Sequence, residues 1–334
     1  MPIVSVGDMA QHFISQRNGG TIKTEFSRLA ESLSTGRVTD ITAELSGETT
    51  RLSGISHTLS QLEAYAQSAT ETDLMLSSMQ TVLQQVDLTR SQTGSQLLLL
   101  NDSSSVPQIN EAGHAAKDAF DEMVNLLNTR FADRTLMGGT VVNQPALASA
   151  EGMLVDLQAA IGAATDQATI TAAVDAWFDD PAGGFATVGY LGDTGPVLTK
   201  RISDTKSYQI DARADDPAIR EVLKGAALAA LAGDLSTLDS DTKSDLLQDA
   251  GSRLIGSSAG LIAVQSRIGF IESEIVQTQV ELNAQETALQ MSKSDLISAD
   301  PFDTASQLQS VQLQLETHYS VTARLSQISL LDYI

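Results

Sequence analysis

The chain has 334 residues, with 42 acidic against 20 basic side chains and a formal net charge of −22, which makes nucleic acid and anionic lipid surfaces poor partners for it. It contains no cysteine, which excludes disulfides, thiolate metal sites and cysteine nucleophiles. Aromatic residues make up only 4%, with a single tryptophan, Trp177; thin helix-on-helix packing through Leu, Ile, Val and Ala needs fewer rings than a compact core of this size.

Met1 to Gly20 lacks a basic start followed by an apolar run and a cleavage site, so a cleaved secretory signal is not expected. No stretch reaches about eighteen consecutive apolar residues, and no transmembrane helix is expected. Met9, Phe13, Ile22, Phe26, Leu29 and Leu33 give a helical apolar stripe that closes at Gly36, with Gly19-Gly20 weakening its middle.

A second seam runs through Leu52, Ile55, Leu59, Leu62, Ala66 and Ala69, then Leu76, Met79, Leu83 and Val86. Thr72 and Asp73 fill the slot where its phase slips by one residue. Read as one helix to near Leu100, it spans ~70–80 Å. After the polar turn Asn101–Ser105, a third helix is expected through Ala115, Ala119, Met123, Leu126 and Leu127 to about Phe131, and Gly138-Gly139 closes the region.

Residues 140–250 differ in character: Pro145, Pro181, Gly183-Gly184, Gly192 and Pro196 punctuate them. Short β-type runs (Tyr190-Leu191, Val197-Leu198, Tyr208–Ile210) interleave with helical patterns at about 151–178 and 217–232, which reads as an inserted α+β domain. From Leu261 the apolar residues return at three-four spacing: Leu261, Val264, Ile268, Ile271, Ile275, Leu282, Leu289 and Leu296, with Thr278, Gln285 and Ser292 in the polar slots. Such a heptad seam belongs to a long helix lying along another, and its natural antiparallel partner is the helix from Leu52. Asp300-Pro301 stops it, and a last amphipathic stretch continues to Ile334.

Little here points to chemistry. The four histidines (His12, His57, His114, His318) are scattered without metal-ligand spacing. Asp179-Asp180 and Asp215-Asp216 precede proline and read as turn or helix caps. Phosphate-loop and nucleophile-elbow patterns do not occur. Ser34-Thr35-Gly36-Arg37 sets hydroxyls beside a base, but Gly36 reads as a left-handed helix cap. No catalytic, metal or cofactor residue is assigned.

Leu33-Ser34-Thr35-Gly36-Arg37-Val38 resembles a signature near the amino terminus of bacterial flagellins and of the flagellar hook–filament junction proteins. The tail Leu325–Ile334 is similar to the junction family's carboxyl end, and Leu136–Thr140 and Tyr190–Asp193 look like two of its turns. The family's Pro-Ser-Asp-Asp-Pro-like stretch is replaced here by Asp40-Ile41-Thr42-Ala43-Glu44.

Resemblance to the hook–filament junction family (hook-associated protein 3), of the flagellin-like superfamily, implies a mainly α fold. It would be a long antiparallel helical hairpin or coiled-coil rod made by the amino- and carboxyl-terminal regions, with a small inserted α+β outer domain. The division would be 1–50 with 299–334 as an inner assembly layer, 51–139 with 251–298 as the rod, and 140–250 outside. It further implies a structural, non-enzymatic role outside the cell at the hook–filament junction, with export through the flagellar type III channel and no signal cleavage. The expected partners are other copies in a ring, the hook-side junction protein (hook-associated protein 1), flagellin and an export chaperone.

The apolar residues expected at the assembly interface are Leu29, Leu33, Leu308, Val311, Leu315, Leu325, Ile328, Leu330 and Leu331. A flagellin-type filament subunit is the nearest alternative. An enzyme built on residues 140–250 and a coiled-coil binding module are the rivals from other classes.

Overall fold

The computed structural model describes residues 6–41, 49–101 and 104–331, apart from the side chains among 6–8, of Gln11 and of 325–331. Its helices are α1 (Val6–Thr35), α2 (Thr49–Leu97), α3 (Val106–Leu127), α4 (Ala150–Ile161), α5 (Gln167–Asp179), α6 (Pro217–Asp234), α7 (Ser240–Gly256), α8 (Ser258–Ile297) and α9 (Pro301–Leu331). Two antiparallel pairs, β1 (Arg130–Phe131) with β2 (Arg134–Thr135) and β3 (Leu198–Arg201) with β4 (Ser207–Ile210), are the only sheets among the described residues. The fold class is the expected one: mainly α, with long helices from both ends of the chain and a small α+β insert. By contacts the chain divides into residues 1–63 with 283–334, and residues 64–282.

Within 64–282 the seam of α2 is nearly strict. Ala69, Leu76, Leu83, Arg90 and Leu97 recur every seventh residue and all are buried, as are Thr72, Met79, Val86 and Thr93 between them. Facing them, α8 buries Leu261, Val264, Ile268, Ile271, Ile275 and Leu282. Gln80 of α2 donates to the Gln265 carbonyl of α8 at 2.8 Å, and Gly94 lies against Leu254, so the chains run antiparallel as the two seams require.

The phase slip at Thr72 does not break α2. Thr72 and its counterpart Thr278 are each 1% exposed, and each hydroxyl donates to the carbonyl four residues back, so the buried polar slots are satisfied locally. Arg90 is the exception in the seam: its guanidinium pairs with Asp87 and donates to the Leu254 and Ile255 carbonyls where α7 ends.

The expected helical pattern at 151–178 is two helices. Gly162, at φ +62°, ends α4, and the Asp166 carboxylate accepts from the Thr169 N–H to begin α5. Asp216 and Asp239 cap α6 and α7 in the same way, and the Asp180 carboxylate accepts from the Ala182 N–H. The turn and cap reading of the acidic pairs therefore holds for Asp180 and Asp216.

Residues 140–250 share one core with the long helices. α6 buries nearly every residue from Val222 to Ala232 among α3, α4, α5 and α7. Its crossing with α3 is backbone on backbone: a Cβ added at Gly113 would lie 2.5 Å from the Gly233 Cα. Trp177, Phe178, Phe185 and Tyr190 gather in one aromatic cluster, and the Trp177 indole donates to Asp156 at 2.7 Å.

Lys224, 3% exposed, is a second buried charge in addition to Arg90, and its ammonium donates to Asp179 and Glu221. The stretch Ser240–Ile297 is long and apolar enough, by length and composition alone, to cross a bilayer. Its Leu254, Leu261, Val264 and Ile268 lie in the core, however, which accounts for that apolarity on one face.

Gly113→Ala is expected to destabilise the protein by about 1–3 kcal/mol, because α3 and α6 must move apart. Gly54→Ala, on an open face of α2, should gain about 0.5–1 kcal/mol; urea denaturation midpoints check both. Burial disfavours the Lys224 ammonium, but its hydrogen bonds to Asp179 and Glu221 outweigh this and raise its pKa. The stability it contributes is thus complete below the ordinary lysine pKa and is lost as pH rises through the raised folded value. The difference in urea stability between wild type and Lys224→Met should stay constant to about pH 10 and shrink above it.

Candidate assembly surface

In the unit made by residues 1–63 and 283–334, α1 and α9 lie against each other in antiparallel fashion. At one end backbone joins backbone: Val38 N–H donates to the Ile297 carbonyl at 2.9 Å and Ala299 N–H to the Gly36 carbonyl at 3.0 Å. Gly36, at φ +67°, ends α1 as the left-handed cap expected from the sequence. The Thr39 hydroxyl meets that of Ser32 at 2.8 Å and folds the segment after Gly36 back on α1. Asp300 starts α9 by accepting from the Phe302 and Asp303 N–H groups.

Farther along, the His318 ring occupies the space a side chain at position 19 would need, with Nε2 2.6 Å from the site of a Cβ. Gly19 makes room for α9, and α1 runs unbroken through Gly19-Gly20.

The seam of this pair is thin. Leu29 is buried, while Ile22 and Phe26 on α1 and Leu308, Val311, Leu315 and His318 on α9 are only half-buried. Of the expected interface residues, Leu29, Leu308, Val311 and Leu315 thus face the interior of the pair, and Leu33 lies exposed at its edge. The side chains of Leu325, Ile328, Leu330 and Leu331 lie outside the described residues, as does most of the Asp40–Glu44 stretch.

Two members of the expected α1 stripe face outward, Met9 at 70% exposed and Phe13 at 67%, and so do residues the periodicity did not select: Phe302 at 82%, with Ile14, Leu313, Tyr319 and Val321. Phe302, Leu313, Tyr319 and Val321 lie off the 304–308–311–315–318 row of α9, and an apolar residue off the seam has no partner within the pair. In residues 64–282, Ile262, Phe270, Val276 and Val280 are likewise exposed on the side of α8 away from its core stripe.

Chemistry is sparse around the pair. An open recess of about 510 Å³ is lined by Glu31, Thr35, Arg37, Val38 and Thr39. The Thr35 hydroxyl donates there to the Glu31 carbonyl at 2.9 Å, so it closes the helix end. The Arg28 guanidinium, 2.6 Å from Glu25, holds that carboxyl below its usual range. Among the described residues no three His, Asp or Glu side chains are placed to hold a metal ion. What the arrangement offers is apolar surface carried on paired helices.

Residues 257–334 match the family described as the bacterial flagellin C-terminal helical region. The fold is similar to the crystal structure of Bacillus cereus FlgL, at TM-score 0.50 and 14% identity over 72% of this chain and 98% of that one. It is similar also to a putative flagellar hook-associated protein from Vibrio parahaemolyticus, at TM-score 0.51 and 13% identity over 75% of this chain and 99% of that one. A comparison with curated proteins gives no match.

The two adjacent glycines should behave oppositely. Gly20→Ala meets nothing and is expected to raise stability by about 0.5–1 kcal/mol, whereas Gly19→Ala must displace His318 and should show no gain or a loss. Amide exchange across residues 12–30 and 305–322 reads the difference.

Proposed function

We propose that this chain is a structural subunit of the bacterial flagellum, without catalysis, that forms the junction ring between hook and filament and templates flagellin polymerisation. The observation that carries the proposal is the terminal pair, whose two helices bury only a thin seam and leave Met9, Phe13, Phe302 and Leu313 outward. A pair of this kind gains burial by packing on further helices, and full burial of one such side chain contributes about 1.5–3 kcal/mol. The flagellin C-terminal match and the fold shared with two hook-associated structures support the same reading.

In this reading residues 1–50 with 299–334 form the inner assembly layer, 51–139 with 251–298 the rod, and 140–250 the outward part. The partners are other copies, the hook-side junction protein, flagellin and an export chaperone, and the place is the outside of the cell. A filament subunit of flagellin type is the second reading, favoured by the description of the family that matches residues 257–334.

Deleting the gene in its source organism separates the two. Intact hooks without filaments, with flagellin shed into the medium, are expected for a junction protein; loss of flagellin itself with intact hooks would assign the filament. Leu331→Asp, expressed in the deletion strain, should leave the monomer soluble and fail to restore filaments. Full restoration would remove the terminal helix from assembly.

A further inference from the structure

The hairpin β3–β4 lies across the two long helices and touches both. Its strands pair Leu198 with Ile210 and Arg201 with Ser207, and its tight turn closes with the Ile202 N–H donating to the Lys206 carbonyl at 3.0 Å. Ile202 and Ile210 are buried beneath it.

On the α2 side the Ser68 hydroxyl donates to the Arg201 carbonyl at 3.0 Å and the Tyr65 hydroxyl to Asp204 at 2.9 Å. On the α8 side Lys206 reaches Glu281 at 2.9 Å and Thr278 at 3.3 Å, and the Tyr208 hydroxyl donates to Glu274 at 3.3 Å. The hydrogen bond to Glu281 raises the Lys206 pKa, so this arm is charged at neutral pH.

The crossing falls at a polar layer of the seam. The core slots nearest it are Ala69 and Thr72 on α2 and Thr278 on α8, small or polar residues set between Leu62 and Leu76 on α2 and between Ile275 and Leu282 on α8. Leu282 is the last buried residue of α8; none of its described residues from 283 to 297 is buried. Apolar burial scales with the area removed from water, so these layers contribute less to pairing than those at Leu76–Leu83 and Leu261–Ile268.

We propose that the β3–β4 hairpin is a strap: tied to α2 by Ser68 and Tyr65 and to α8 by Lys206 and Tyr208, it holds the helices together at the polar layer of their seam. Loosening it releases the layers at the crossing without opening the rest of the core.

Hydrogen exchange on the full-length protein tests this with the variant Tyr65→Phe/Ser68→Ala/Lys206→Met/Tyr208→Phe. Amides in 66–75 and 272–282 should exchange about tenfold faster, the size expected when a few net hydrogen bonds are lost, while 79–93 and 258–268 keep wild-type protection. Unchanged exchange in 66–75 and 272–282, or equal acceleration across 64–282, would overturn the strap. A charge swap supplies an independent check. Lys206→Glu should loosen the same segments, and adding Glu281→Lys should restore their protection; failure of the double variant to restore it counts against the proposal.

Discussion

A guanidinium inside a hydrophobic seam fixes the register of this fold. A seam repeating every seven residues, as α2 does from Ala69 to Leu97, packs almost equally well when its partner slides by one heptad. Arg90 removes that degeneracy. It takes a core slot, and its partners are the Leu254 and Ile255 carbonyls in the last turn of α7, which ends at Gly256. In any other register a buried charge would face hydrogen-bonded backbone or leucine, a state costing several kcal/mol. Close approach reinforces the setting: Gly94 lies against Leu254, and Gly251 against Leu97.

With α2 held against the α7–α8 junction, the insert has one place to go. α6 threads between α3 and α7 through a run of alanines and glycines that lets backbones approach, and Lys224 stitches it to Asp179 of α5. This explains how 4% aromatic content suffices. Where helices meet at Gly113 and Gly233 there is no space for rings, and the aromatic cluster around Trp177 lies where α5 meets the loop that follows it. Burial is reached by proximity more than by side-chain volume.

The parts legible in the sequence are those governed by periodicity. Leu261 through Leu282 are buried in the order their spacing implies, and Gly36 is the left-handed cap its position suggested. Three features escaped for physical reasons. The gap between α4 and α5 lies inside a continuing apolar pattern, and only the φ of Gly162 and the carboxylate of Asp166 mark it. Arg90 is a charge in a heptad slot, and its partners, the carbonyls of the last turn of α7, lie far along the chain. Gly19 reads as a weak point because what it accommodates, the His318 ring, lies on another helix. Of the residues expected at the assembly interface, Leu29 and the 308–311–315 row lie along the seam between α1 and α9, a placement that depends on which helix is the neighbour and is not written in the spacing.

The distinction between seam and surface bears on how such a pair would assemble. Ordering a residue costs about 1–2 kcal/mol of backbone entropy, and the α1–α9 seam offers one buried leucine and a row of half-buried side chains against it. Those inward residues determine whether the pair exists; Phe302, Leu313, Met9 and Phe13 determine what it can add to itself. A partner that covers the outward set gains burial without disturbing the seam, and it also shifts the pair toward its ordered form, because only the ordered helices present these residues together. In the proposed assembly, pairing and association would be one coupled equilibrium, in which a thin seam would keep the free chain from presenting a finished surface before its neighbours are there.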